Sequence, residues 1–126
     1  MIFYIFLFVI AGLTYQVTEI LWAGKTHLTM FFAAGMSVCL LALADGAFIT
    51  SVPDFILAGV GCGIITVTEF LFGLVFNRGL HMNIWDYSGK KFNFLGQICL
   101  KNSFYWFVLS FPALWVSRAL RPLLVL

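Results

Sequence analysis

Charge is what this chain has least of. Of its 126 residues, 10% are Asp, Glu, Lys or Arg, and the net charge is +2. A soluble domain carries about 25% charged residues. Here 63% of residues are hydrophobic and the mean hydropathy is +1.05. A water-soluble chain of this length cannot hide so many Phe, Leu, Ile and Val side chains. Lipid must therefore be the solvent for most of it. The small positive balance gives no reason to expect a nucleic-acid partner.

Metal-binding and catalytic residue types are equally sparse. The two histidines, His27 and His81, fall in loops and lack metal-ligand spacing such as HExxH. The three cysteines, Cys39, Cys62 and Cys99, sit singly in apolar runs, without a CxxC. They read as small core residues, and no metal site is expected. No Ser-His-Asp set, GxSxG or P-loop is present. The chain is thus not expected to be an enzyme or to hold a cofactor. Any ATP-driven role requires a separate ATP-binding subunit.

Long apolar runs are abundant. About 20 mainly apolar residues cross a bilayer as a helix. The runs predict four such helices over roughly 2–22, 28–49, 55–76 and 95–120, within one transmembrane domain spanning 1–126. The first run lacks a basic leader and outlasts a signal-peptide core, so a retained helix is expected. Pro53 separates the second helix from the third, and Pro112 is expected to kink the fourth. Continuous rather than alternating runs make strands implausible. The fold class is therefore all-α, a polytopic membrane protein with an interfacial loop over 77–94, before the last helix.

That loop is the most polar stretch of the chain. Its Trp85, Asp86, Tyr87, Ser88 and Asn93 mix aromatic and polar groups, which suits the headgroup region. Asp86 and Ser88 can cap a turn by accepting backbone N–H bonds. Gly89 permits a tight reversal. Lys25, Arg78, Lys90 and Lys91 fall on one side of the membrane, Arg118 and Arg121 on the other. The positive-inside rule then places both termini outside.

Helical spacing gives each helix a small or polar stripe. The first holds Gly12, Tyr15, Gln16, Glu19 and Ala23. The second holds Gly35, Cys39, Ala42 and Gly46. The third holds Gly59, Cys62, Gly63, Thr66, Glu69 and Gly73, with a GxxxG pair at Gly59 and Gly63. The fourth holds Gln97, Lys101, Tyr105, Val108 and Pro112. Small residues let membrane helices approach closely, so these stripes are expected to face inward.

The intramembrane charges are the sharpest feature. A charge at a helix centre costs roughly 3 kcal/mol on insertion scales. Glu19, Glu69, Lys101, Gln16 and Tyr105 together form a candidate polar site. Three roles are open. Glu19 or Glu69 can pair with Lys101 or Arg78; one carboxyl can carry a proton during transport; or the group can bind a polar substrate or headgroup.

The run TEFLFGLVFN, followed by IWDYSGKKFNFLGQICLKNSFYWF, resembles the signature of the putative ABC-transporter type IV (CmpB-like) family. Trp85, Asp86, Tyr87, Ser88, Phe92, Asn93, Gly96, Ile98, Cys99, Leu100, Ser103 and Trp106 carry the resemblance. Glu19 and Glu69 fall where that family tends to carry helix glutamates. The resemblance runs from Glu69 to Trp106 and loosely over the first helix; none is evident over Lys25 to Pro53. It implies a multi-pass permease-like protein, of the bacterial cell membrane. The motif residues Trp85, Asp86, Tyr87, Ser88, Asn93 and Gly96 are expected to form a polar plug that fixes how helices three and four meet.

Three functions compete on this reading: a transport component, a structural or partner-binding membrane protein, and a small proton-coupled exporter. Four helices enclose a path with difficulty, so a homo-oligomer or a larger membrane partner is expected in addition to the lipid bilayer.

Overall fold

The computed structural model describes residues 1–48 and 51–124. Four helices are long and apolar enough to cross a membrane. Helix α1 runs Ile2–Ala23, α2 Leu28–Ala47, α3 Asp54–Phe72 and α4 Leu100–Leu124. The expected end of α2 at Ile49 lies outside the described residues. Gly24 stops α1 by taking a left-handed conformation (φ 76°) that glycine alone adopts without cost. His27 caps α2, its Nδ1 accepting from the Thr29 N–H at 3.2 Å. It is thus a capping residue rather than a solvated loop histidine.

Two boundaries beside the polar loop differ from the expected ones. Helix α3 continues beyond Phe76 through a π-helical turn, Gly73–Gly79. Helix α4 begins at Leu100, not at Leu95. The residues assigned to its first turn instead form a two-stranded antiparallel hairpin, β1 (Asn93–Phe94) with β2 (Ile98–Cys99). Leu95 and Gly96 at its tip have φ of 54° and 71°, which helix cannot accommodate. Strands are therefore present, in the polar loop rather than across the lipid. They escape the usual penalty for open sheet edges because they lie outside the spanning segments.

Helix α2 lies at the centre, packed against α1, α3 and α4. Two apolar clusters hold the bundle. Phe3, Leu7 and Ala42 join α1 to α2, with Leu120 and Leu124 of α4 against them. Leu41, Leu57 and Leu114 join α2, α3 and α4. Large apolar side chains such as Ile5, Phe6, Leu13, Val17 and Leu71 point outward. In water this exposure would be untenable; against acyl chains it has no cost.

The inward stripes are partly those expected. Gly12, Gly35, Ala42, Glu69 and Gly73 are buried. Gly59 and Gly63 are not: both are exposed, and nothing lies within 4 Å of a Cβ built on either. The close-approach glycine of α3 is Gly61, whose added Cβ would strike the Ser110 side chain. On α4 the expected stripe is displaced. Lys101, Tyr105 and Val108 are exposed, while Trp106, Ser110, Leu114 and Ser117 are buried. Gln97 sits in the loop, so it could not set the phase of α4. The serine-rich spacing from Trp106 to Ser117 carries the true inward face.

Candidate functional site

The polar loop folds back onto the bundle through its own side chains. Asp86 Oδ1 accepts from the Ser88 N–H at 2.9 Å, closing a turn. That bond holds the Asp86 carboxyl below its ordinary range. Asn93 Nδ2 donates to the carbonyls of Lys90 (2.8 Å) and Ser88 (3.3 Å), and its Oδ1 accepts from the Gly96 N–H at 3.0 Å. The Tyr87 N–H donates to the Gly96 carbonyl at 2.8 Å. Trp85 Nε1 donates to the Gln97 carbonyl at 2.9 Å. The signature residues thus satisfy one another's backbone groups in a short, densely hydrogen-bonded loop.

Gln97 ties this loop to α3. Asn77 Nδ2 donates to Gln97 Oε1 at 2.9 Å, and Asn77 Oδ1 accepts from the Ile84 N–H at 2.7 Å. Gly73 makes room, since a Cβ there would lie 2.5 Å from Gln97 Oε1. The π turn has a geometric use. Eight residues of α-helix would rotate Asn77 about 80° away from the direction of Glu69. The wider i→i+5 turn recovers that drift, so Glu69, Gly73 and Asn77 all address the loop.

Glu69 is the focus of the arrangement. It is 4% exposed. The Tyr87 hydroxyl donates to its Oε2 at 3.2 Å, and Trp106 Nε1 donates to its Oε1 at 3.3 Å. Loop, α3 and α4 therefore converge on one carboxyl. Burial first, and then the Glu69 charge, hold the Tyr87 phenol above its ordinary range, so it remains a donor. The ring of Tyr15 on α1 lies 5.9 Å from that of Trp106. Tyr15 also interacts with Glu19, one turn along, and with Glu69.

Not every candidate joins this centre. Glu19 approaches through Tyr15. Gln16 Nε2 instead donates to the His27 carbonyl at 3.3 Å, bracing the first connection. Lys101 and Tyr105 are exposed and face each other, the Lys101 Nζ 6.0 Å from the Tyr105 ring centre. The pairing of Glu19 or Glu69 with Lys101 or Arg78, one of the three open roles, is not formed among the described residues. Starting α4 at Leu100 turns Lys101 outward and presents Trp106 in its place. Tyr87 is likewise no simple headgroup anchor, since its hydroxyl is spent on Glu69.

The ion pairs among the described residues lie at the other end of the bundle, where sequence reading placed none. Arg118 Nη2 meets Asp45 Oδ1 at 2.7 Å, and Nη1 meets Asp54 Oδ1 at 2.9 Å. Arg121 Nη2 donates to the Ala42 carbonyl at 2.8 Å, with its guanidinium 4.7 Å from the Phe3 ring centre. The signal was available in outline: two Asp at helix ends near Pro53, and two Arg at the end of α4.

Between these two polar ends lies a cleft of about 260 Å³. It reaches Leu7 and Val38 of the first apolar cluster, and its head is formed by Tyr15, Trp85, Glu69 and Trp106. It opens between α1 and α4, past the exposed residues Thr14, Leu109 and Val116. Among the described residues, no group of three or more His, Cys, Asp or Glu is placed to hold a metal ion.

Four spanning helices, sealed at one end by a folded polar loop and at the other by an arginine cluster, define a multi-pass integral membrane protein. The chain belongs to the putative ABC-transporter type IV family, which matches residues 3–124. The match includes Lys25 to Pro53, where sequence reading found no resemblance. No curated protein and no solved structure matches the chain.

Proposed function

We propose that the protein is the membrane-embedded component of a transport system, with the cleft headed by Glu69 as its cargo site. One observation carries the reading. A buried carboxyl, Glu69, lines an apolar cleft whose exposed lining residues belong to the membrane-spanning helices α1 and α4. Intramembrane ionisable residues are rare, face the bundle interior and mark substrate or ion paths. The hydrogen bonds from Tyr87 and Trp106 link that carboxyl to the loop and to α4, so occupation of the cleft can be felt at the membrane surface. Energy coupling falls to a separate ATP-binding subunit, for which the loop is the natural contact.

The experiment is purification of tagged full-length protein from native membranes in a mild detergent. An ATP-hydrolysing subunit is expected to accompany it, and Glu69→Gln is expected to lower cargo-stimulated hydrolysis. Purification without any nucleotide-binding chain overturns the reading. A second reading, a partner-binding membrane protein that moves nothing, draws on the outward-facing Gly59 and Gly63, which allow another helix to approach closely. It predicts a membrane partner in the same purification and no dependence on Glu69.

A further inference from the structure

We infer that the cleft takes a single-chain amphiphile with a cationic amine head, the amine seated at Glu69 and the alkyl chain between α1 and α4. The inference rests on the reading of the cleft as a cargo site and names the class of cargo.

Size comes first. At about 260 Å³ the cleft is slightly smaller than most small-molecule sites, which run about 300–1,000 Å³. It suits one slender chain rather than a two-tailed lipid. Leu7, Ile10, Met30, Val38, Leu109 and Val116 provide an apolar wall along its length. Burial of a chain there gains nothing over lipid, because both are hydrocarbon. Selectivity must therefore come from the head.

The head is acidic and aromatic. Glu69 accepts hydrogen bonds only from neutral donors, the Tyr87 hydroxyl and the Trp106 indole. The cations that could neutralise it are engaged or turned away. Arg118 is held by Asp45 and Asp54, Arg121 lies on Phe3 and the Ala42 carbonyl, and Lys101 points outward over Tyr105. Lys25, Arg78, Lys90 and Lys91 are exposed. A buried carboxyl is relieved of its desolvation cost either by a proton or by a cation, and a ligand ammonium supplies the cation. Tyr15, Trp85 and Trp106 also surround the head of the cleft. Aromatic faces in a desolvated site attract ammonium groups through the ring quadrupole. An alkyl sulfate would meet the Glu69 carboxyl there, and an uncharged alkyl chain would find nothing to prefer over lipid.

The test uses the full chain in a maltoside detergent and isothermal titration calorimetry. The probes are octyltrimethylammonium, octyl sulfate and octanol. Saturable binding of about one octyltrimethylammonium per chain is expected, with none of the other two. Glu69→Gln should weaken that binding at least about tenfold, the loss expected from removing one buried charge contact. Lys101→Gln should leave it unchanged. Ala11→Phe, which fills the cleft while leaving Glu69 in place, should abolish it; this variant decides the matter if Glu69→Gln fails to fold. Equal binding of octyl sulfate, or undiminished binding by Ala11→Phe or by a folded Glu69→Gln protein, overturns the inference. If ATP hydrolysis in the purified complex depends on Glu69 while octyltrimethylammonium does not bind, the amine class is wrong and the cargo site stands.

Discussion

The Tyr87 hydroxyl donates to Glu69 Oε2 at 3.2 Å, joining the surface loop to a carboxyl buried in the membrane span. Eighteen positions separate the two residues in sequence. Trp106 completes the link from α4. This geometry makes the loop part of the bundle's interior, and it predicts energetic coupling. Hydrogen bonds to charged groups contribute about 1.5–3 kcal/mol. Tyr87→Phe and Glu69→Gln should each destabilise the protein. Because they act on one contact, the double variant should lose less than the sum of the two. A coupling of about 0.5–3 kcal/mol is expected in a double-mutant cycle from denaturation in detergent. Strict additivity would mean that the contact carries no energy.

Arg118 poses a different question, because its two partners differ in burial. The Asp45 side chain is 3% exposed and that of Asp54 is 42% exposed. Removing the cation from a buried partner strands a charge, at a cost of about 3–5 kcal/mol. An exposed pair is screened by solvent and contributes little. Arg118→Ala should therefore be severe and Asp54→Asn mild, although both delete an ion pair. Asp45→Asn in the Arg118→Ala background should recover much of the loss, since it removes the stranded charge. Thermal unfolding of the four proteins in one detergent checks the order.

Much of the architecture was legible from sequence because lipid imposes a simple rule: long apolar runs become helices. The four spans follow from that rule alone. Phase within a helix was less legible. Gly59 and Gly63 match a GxxxG pattern, yet Gly61 is the residue against Ser110. In hydrocarbon, hydropathy does not separate buried from lipid-facing residues, so a small-residue motif cannot say which neighbour it meets. The partners of Glu69 were hidden for a related reason. Pairing with Lys101 assumed that α4 starts at Leu95, but the positive φ of Leu95 and the hairpin that turns there delay the helix to Leu100. Glu69 itself stood out, because a carboxyl in an apolar run has few neutral explanations.

The glycine assignment gives a direct comparison. A Cβ at Gly61 would meet Ser110 and approach Leu41 at 3.1 Å, whereas at Gly63 it meets nothing. Gly61→Ala should cost about 1–3 kcal/mol by overpacking. Gly63→Ala should be neutral to slightly stabilising, because alanine is the better helix former by about 1 kcal/mol. Midpoints of thermal unfolding in detergent measure both. Equal losses at the two positions would place α3 in a different rotation.

Asp86 offers the clearest pH signature outside the membrane. Its carboxyl is held below the ordinary range by the Ser88 N–H, so the folded loop favours the ionised form. The resulting stability is present above the ordinary carboxylate range and is lost as pH falls through the lowered folded value. In Asp86→Asn the amide oxygen still accepts from Ser88, so the turn should persist while this acid-dependent loss disappears. In Asp86→Ala the turn itself loses its acceptor. Amide hydrogen exchange at Ser88, followed from neutral pH downward and corrected for intrinsic rates, should show wild-type protection falling in acid. Protection should stay flat in Asp86→Asn and be low throughout in Asp86→Ala. An Asp86→Asn protein whose protection still fell with the wild-type profile would assign the acid sensitivity to another group.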